Sequence, residues 1–213
     1  MVEDAATVAP PPPPAGRFRL PALKPWARWL LCGFVGIVLG FAWALHTVRA
    51  GAIAASDTIG PWTTGKDFGT ADASGRTRAV VALRGMLALP ASEARYYNAA
   101  VDDAGQPLDG HCRYRISGGP LPGHWWSLTL YDTQGYLVKN DPGIYAISSA
   151  ALRPDEQVRW NVVVAPTQQP GNWLPTGHGD RVQLTLRVYL PADGGTGNLA
   201  RTQLPAITRE ACA

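Results

Sequence analysis

The stretch GHWWSLTLYD, residues 123–132, decides how the C-terminal part of this chain is organised. Successive side chains of a β-strand point to opposite faces of its sheet, so the adjacent tryptophans at 125 and 126 cannot share one side of a core. The alternation predicts a core side formed by Trp126, Leu128 and Leu130. The opposite side then carries a polar-aromatic row: Trp125, Ser127, Thr129 and Tyr131.

The same alternation predicts further strands. It is most regular over 182–190, and it also favours strands over 95–101, 111–117 and 158–164. The turn Thr133-Gln134-Gly135 predicts a hairpin between 125–132 and 136–140, with Gly135 at positive φ. Many short strands of this kind are typical of an all-β fold. We therefore expect a jelly-roll-like β-sandwich over residues 71–213.

One amphipathic helix is predicted over 76–89, where Val80, Leu83 and Leu87 recur at helical spacing and Pro90 ends the pattern. Its apolar stripe should lie on the sheet. Covering the Trp125 side of the 123–132 strand is its expected role. The alternative is an exposed aromatic row that stacks on sugar rings or another flat ligand.

An uncharged apolar run over 29–45 precedes this domain and reaches the length needed to cross a hydrocarbon core of about 30 Å. Tryptophans at 26, 29 and 43 lie near its ends, as in an interfacial aromatic belt. We predict an uncleaved anchor over 26–48 in a bacterial inner membrane. More Lys/Arg residues precede the run than closely follow it, so the N-terminus is placed in the cytoplasm. The alternative is a signal peptide cleaved after 52–54, Ala-Ile-Ala.

The regions beside the anchor have simpler interpretations. Residues 1–25 contain five consecutive prolines, 10–14, which predict a disordered cytoplasmic tail. Residues 49–70 are expected to be a connector. Gly36 and Gly40 form a small-xxx-small pair through which two anchors could dimerise.

Charge is distributed unevenly along the chain. The formal net charge of +3 arises within residues 1–49, where five Lys/Arg face two Asp/Glu, whereas residues 50–213 carry fourteen of each. A neutral domain without a basic stripe argues against nucleic acid as a partner.

Three cysteines are present. Cys32 lies in the apolar run and behaves as a small hydrophobe. Cys112 and Cys212 lie beyond it, in an oxidising compartment if the orientation is right, and we predict that they form a disulfide. Closing a loop of about 100 residues stabilises by up to ~4.7 kcal/mol in the chain-entropy model. Two free thiols are the alternative.

Several motifs together resemble one protein family. They are GPW, LDGHCRYRI, WWSLTLYDTQGYLVKND, GNWLPTGHGDRVQLTLRVYLP and LPAITREAC, in that order over residues 60–212. The chain is similar to the short membrane-anchored members of the bacterial domain of unknown function 1214 family. The resemblance implies a β-rich domain behind a membrane anchor in Gram-negative bacteria, without an established activity. The family often has arginine at the positions of His124 and Ile144, so a site built on those arginines would be incomplete here.

Candidate chemistry is sparse. His111, His124 and His178 could act as bases or ligands, but no catalytic, phosphate-binding or zinc-binding spacing surrounds them. We therefore predict no metal and no cofactor, and we leave enzymatic activity open, with absence favoured. The sequence NWLP at 172–175 is compatible with a locked turn or with the rim of a polar site. The binding candidates are Trp125, Tyr131, His124, Asn172, Trp173 and His178.

Two functions remain from this reasoning. The first is a membrane-anchored periplasmic module that binds an envelope component or a partner protein. The second is a hydrolase or carbohydrate-active enzyme that uses the polar-aromatic face and the histidines. A concave pocket that holds two or more of the histidines and nearby aspartates would favour the enzyme.

Overall fold

The computed structural model describes residues 24–50, 56–65, 69–83, 89–156, 158–177 and 180–212. The chain divides into an N-terminal helical unit and a larger β-rich unit. The predicted tail over 1–25 lies almost entirely outside the described residues.

The N-terminal unit is built on α1, which spans Pro25–Ala50. Its segment Pro25–Thr47 is long and apolar enough to cross a membrane, and its large apolar side chains are exposed. Gly36 and Gly40 both lie on this helix, with no other group within 4 Å of where a Cβ would stand.

The described residues of the β-rich unit form ten strands in two sheets. The six-stranded sheet has the order β1-β2-β3-β9-β5-β6 and the four-stranded sheet the order β10-β4-β7-β8. Every pairing is antiparallel except that of β7 with β8. The bounds in chain order are β1 Ser56–Ile59, β2 Trp62–Gly65, β3 Ala94–Ala99, β4 Cys112–Gly118, β5 Gly123–Asp132, β6 Ala146–Ser148, β7 Trp160–Ala165, β8 Trp173–Pro175, β9 Val182–Pro191 and β10 Ala206–Cys212.

Side chains of both sheets form one hydrophobic core, so the all-β prediction is confirmed. Trp126 of β5 stacks on Trp160 of β7, with ring centroids 4.4 Å apart. Trp160 in turn lies over Gly118 of β4, where an added Cβ would come within 2.3 Å of its ring. The two sheets therefore meet around this tryptophan pair.

The predicted disulfide is present between Cys112 and Cys212. These residues are direct partners in the antiparallel pairing of β4 with β10, so the disulfide joins two neighbouring strands. Their Cα atoms are 3.9 Å apart, slightly closer than the usual range for disulfides of about 4.4–6.8 Å.

The stretch predicted to be a connector, 49–70, contains β1 and β2. Gly60, at φ 63°, lies in the turn between them, and β2 pairs with β3 of the main sheet. Trp62 is fully buried, and its indole N–H donates to the Pro205 carbonyl at 2.7 Å. Because β1 and β2 have only four residues each, their sequences show no alternation pattern, and the composition of 49–70 is that of a linker.

The predicted hairpin partner over 136–140 is also corrected. Only Leu137 forms a β-bridge there, opposite Tyr131, while β5 pairs with β6 and β9. Gly135 does adopt positive φ, at 89°. The Asp132 carboxylate accepts hydrogen bonds from the backbone of Gln134 and Tyr136, both at 2.9 Å. These bonds close the turn locally, so a second strand is not needed to hold it.

The described part of the predicted helix is α2, which spans Gly75–Leu83, and residues 84–88 of the prediction lie outside the described residues. It begins where the Ser74 hydroxyl accepts a hydrogen bond from the Thr77 N–H at 3.1 Å. The apolar stripe of Val80, Leu83 and Leu87 falls on side chains outside the description. The remaining elements are two 3₁₀ turns, Ser149–Ala151 and Pro154–Glu156.

Candidate functional site

The outer face of the six-stranded sheet, opposite the core, is the strongest candidate site. Cross-strand register sets Trp125 against Tyr189, Ser127 against Arg187, and Tyr131 against Gln183. On the other side of β9, Tyr96 of β3 lies opposite Arg187. We call this surface the outer face; its members from the three central strands are Tyr96, Asn98, Trp125, Ser127, Thr129, Tyr131, Gln183, Thr185, Arg187 and Tyr189.

Arg187 is the centre of the outer face. Its guanidinium donates to the Thr129 hydroxyl at 3.1 Å and to the Tyr131 hydroxyl at 2.8 Å. The guanidinium carbon lies 5.5 Å from the ring centre of Tyr131 and 6.0 Å from that of Tyr96. These distances are within the range of cation–π attraction, so two phenol rings flank the cation.

No carboxylate lies within ion-pair distance of Arg187 among the residues that the structure describes. The outer sides of the two sheets differ in this respect. On the four-stranded sheet, Glu210 is bound by both Arg113 and Arg115, the first at 2.9 Å. Arg187 is half-buried and keeps hydroxyl and aromatic neighbours instead. It is therefore a cation whose charge the described part of the domain leaves uncompensated.

The floor of the outer face consists of hydroxyl groups. Ser127, Thr129 and Thr185 are buried, with 6%, 6% and 8% of their surface exposed. Thr185 donates to the Asn98 side-chain oxygen at 2.7 Å. The larger side chains around this floor are half-buried. Buried hydroxyl groups therefore lie among the larger, half-buried side chains of the outer face.

Trp125 and Tyr189 form an aromatic pair at one end of the outer face. Their ring centroids are 4.8 Å apart and their planes are inclined by 45°. Both side chains are half-buried, so each ring keeps part of its surface toward solvent. Such a pair supplies flat apolar area close to the Arg187 charge.

The structure distributes the six predicted binding residues over several surfaces. Trp125 and Tyr131 lie on the outer face, as the alternation predicts. His124 is exposed near the start of β5, on the opposite parity from Trp125. His178 lies outside the described residues.

Trp173 is the first residue of β8 in the four-stranded sheet, and Asn172 lies just before it. Trp173 donates its indole N–H to the Ala165 carbonyl at 3.0 Å. Asn172 donates to the Asn161 carbonyl and to the Glu156 carboxylate, both at 3.2 Å. These contacts fix the entry to β8, which fits the locked-turn interpretation of NWLP.

The remaining titratable candidates form only a small surface group. His111 contacts the Asp109 carboxylate through Nδ1 at 2.9 Å and lies 3.8 Å from the Asp180 carboxylate through Nε2. The side chains of His111 and Asp180 are 61% and 91% exposed, so they line no pocket. The pKa of Asp109 is lowered, chiefly because its carboxylate accepts the backbone N–H of His111. No cluster that could hold a metal ion occurs among the described residues.

Sequence reasoning missed Arg187, the residue that gives the outer face its charge. The signal was present in 182–190, where Gln183, Thr185, Arg187 and Tyr189 form the polar half of the alternation. An alternating arginine usually indicates a solvated face, and only the register with β5 shows that it meets Thr129 and Tyr131.

A protein-family model described as "Protein of unknown function (DUF1214)" matches residues 93–193. Residues 93–193 of this chain belong to the DUF1214 family. The match extends from the start of β3 to just beyond β9, so the DUF1214 region includes the entire outer face as defined above. No curated protein matches the chain.

Solved structures of similar fold are also known. The crystal structure of the VPA0106 protein from Vibrio parahaemolyticus is 21% identical, with a TM-score of 0.55, and the match covers 89% of this chain. A putative uncharacterized protein from Burkholderia cenocepacia is 17% identical, with a TM-score of 0.42, over 81% of this chain. The chain spans about half the length of these relatives, 47% and 42%. At such identity the first match supports the fold alone.

Proposed function

We propose that this chain is a membrane-anchored binding module of the periplasm that holds an envelope component on its outer face. The observation that carries the proposal is Arg187, a half-buried cation without a carboxylate partner among the described residues. A half-buried charge without a counter-ion favours the binding of a ligand or partner that neutralises it. Hydroxyl groups and aromatic rings around it supply hydrogen bonds and contact area.

The proposed location rests on two features. The apolar segment of α1 suits a single-pass anchor, and the basic residues before it favour a cytoplasmic N-terminus. The Cys112–Cys212 disulfide suits an oxidising compartment such as the periplasm of a Gram-negative bacterium. A second copy of the chain is a further proposed partner, through Gly36 and Gly40 of the anchor.

The alternative, a hydrolase or carbohydrate-active enzyme, has weaker support. His111 and His124 are exposed on separate segments, and the Asp132 carboxylate closes a turn. No nucleophile paired with a base occurs on the outer face among the described residues. We therefore favour binding over catalysis.

Fractionation tests the location. We expect the full chain in the inner-membrane fraction, and protease added to spheroplasts should digest its β-rich unit. Recovery of a soluble chain that begins near residue 55 would establish signal-peptide cleavage instead.

Photo-crosslinking in cells tests the outer face. We expect Tyr189→p-benzoylphenylalanine to give a defined adduct, because this half-buried ring borders Arg187 on the same face. Thr208→p-benzoylphenylalanine is the matched control, since Thr208 is exposed on β10 of the other sheet. Equal labelling from both positions, or none from position 189, would contradict the proposed function.

A further inference from the structure

We infer that the ligand of the outer face is a saccharide carrying a negatively charged group, which Arg187 binds while the sugar ring lies on the Trp125–Tyr189 pair. This inference rests on the proposed function and specifies its ligand class. It depends on the charge of the face, the orientation of Arg187 and the position of the aromatic pair.

The charge of the outer face is the first argument. Its ten members include one arginine and no acidic residue. A neutral ligand would leave the half-buried guanidinium uncompensated, whereas an anion bound there gains a charge-assisted contact. The face therefore selects for anionic groups by electrostatic complementarity.

The hydrogen bonds of Arg187 are the second argument. A guanidinium has five N–H donors, and two of them are used by Thr129 and Tyr131. Three remain without an acceptor among the described residues. The two bonds to β5 and the two flanking phenol rings hold the side chain in place, so little conformational entropy is lost when an anion binds.

The aromatic pair is the third argument. On each strand it lies two residues from the Ser127–Arg187 pair, a separation of about 7 Å. This spacing suits a ring stacked on Trp125 and Tyr189 whose acidic substituent reaches Arg187. Beyond the arginine the face continues with Asn98, whose side-chain oxygen accepts from the buried Thr185 hydroxyl, and with Gln183, whose amide nitrogen donates to the Asp132 carbonyl at 2.8 Å. The remaining amide groups of Asn98 and Gln183 can bond further sugar hydroxyls.

The chemistry of the face favours a saccharide over an acyl chain or an apolar peptide. None of its ten members is a large aliphatic residue, so the described members of the face supply rings and polar groups and no aliphatic groove. Hydroxyl-rich ligands match a surface of rings and hydroxyls, because each ring supplies flat apolar contact while neighbouring polar groups fix the orientation.

The test measures equilibrium binding of defined probes to the full chain in detergent micelles. The probes are an oligogalacturonate, its fully methyl-esterified form, a phosphorylated disaccharide and inorganic phosphate. We expect at least one of the two acidic saccharides to bind. If the oligogalacturonate binds, its methyl-esterified form should bind at least about tenfold more weakly. A tenfold loss of affinity corresponds to the loss of about one charge-assisted hydrogen bond.

Variants connect this binding to the site. Arg187→Met should reduce binding of the acidic saccharide by about tenfold or more, whereas Arg187→Lys should restore part of it because the charge is kept and the fork geometry is lost. Arg159→Met is the matched control, since Arg159 is exposed just before β7 of the other sheet. Trp125→Ala should weaken binding and Trp125→Phe should retain most of it. Near-ultraviolet circular dichroism confirms that each variant is folded.

Three outcomes would overturn the inference. Equal binding of the neutral ester would refute the anionic group, equally tight binding of inorganic phosphate would refute the saccharide, and no binding of either acidic saccharide would refute both. If the Tyr189 photo-adduct still forms in cells in any of these cases, the ligand class is wrong while the proposed function stands. Loss of the photo-adduct as well would refute the binding role of the face.

Discussion

The ten residues of β5 point alternately into the core and onto the outer face, so this one strand allows a core and a surface to be compared. Trp126, Leu128 and Leu130 point into the core and are 6%, 0% and 2% exposed. Ser127 and Thr129, on the outer face, are equally buried at 6% each, although their side chains are polar. Burial therefore does not distinguish the two sides at these central positions. What distinguishes them is chemistry: one side meets the other sheet, and the other side meets Arg187.

The largest expected effect lies on the core side. Trp126→Ala should destabilise the β-rich unit by about 3–5 kcal/mol, because it empties a large aromatic site whose neighbour Trp160 cannot fully collapse into the space. Thermal unfolding of the full chain in detergent, followed by near-ultraviolet circular dichroism, measures the loss. Tyr136→Ala is the control, since Tyr136 is 69% exposed and its truncation should cost little. A loss below about 1 kcal/mol for Trp126→Ala would contradict the core assignment.

Much of this contrast follows from sequence because the strand period is two. Both sides of β5, and the core positions Leu184, Leu186 and Val188 of β9, are assigned correctly by alternation alone. The pattern fails at strand ends. Leu190 continues the apolar series of β9, yet it is 51% exposed and adopts positive φ, at 46°. Val158 likewise precedes β7 and is 75% exposed.

The composition of the outer face could not be predicted in the same way. It depends on which strands become neighbours, and β3, β5 and β9 are far apart in the sequence. Alternation tells which side a residue faces but not which residue stands opposite. The meeting of Arg187 with Tyr96 and Tyr131 is a property of this strand order.

Removal of the disulfide tests how far the core side of β5 depends on the four-stranded sheet. Ile207 of β10 is fully buried in the shared core, and Cys212 ends the same strand. Cys212→Ser should destabilise the β-rich unit by about 2–4 kcal/mol, because the unfolded chain loses a long closed loop. Cys32→Ser is the control, since Cys32 is a free thiol on α1. If reductant leaves the wild-type unfolding temperature unchanged, the bridge does not support the core.

Trp125→Ala tests the outer side with a smaller expected effect. Its loss should cost about 0.5–1.5 kcal/mol for the aromatic pair with Tyr189, in addition to the apolar area that the half-buried ring covers. A double-mutant cycle with Tyr189→Ala should show coupling of the same order. A much larger loss, coupled to Leu83→Ala, would show instead that the 76–89 segment covers this side.

The smallest expected effect is on the pH dependence of stability, in which the outer face should differ from the rest of the domain. The pKa values of Asp109 and Asp193 are lowered, mainly by backbone N–H donors of His111 and Gly195 respectively. A carboxyl whose pKa is lower in the folded than in the unfolded state stabilises the fold above its unfolded pKa of about 3.9. The stabilisation is lost as the pH falls through the folded value.

The loss of stability at low pH therefore tests which surface of the domain carries the carboxylates responsible for it. Urea unfolding midpoints between about pH 7 and pH 2.5 should fall below about pH 4, and Asp109→Asn should make the fall shallower. Arg187→Met should leave the slope unchanged, because no described member of the outer face is a carboxylic acid or a histidine. If Arg187→Met flattens the slope as much as Asp109→Asn does, a carboxylate pairs with Arg187 in the free protein. The cation would then be compensated already, and the two sides of β5 would differ less in charge than the described contacts imply.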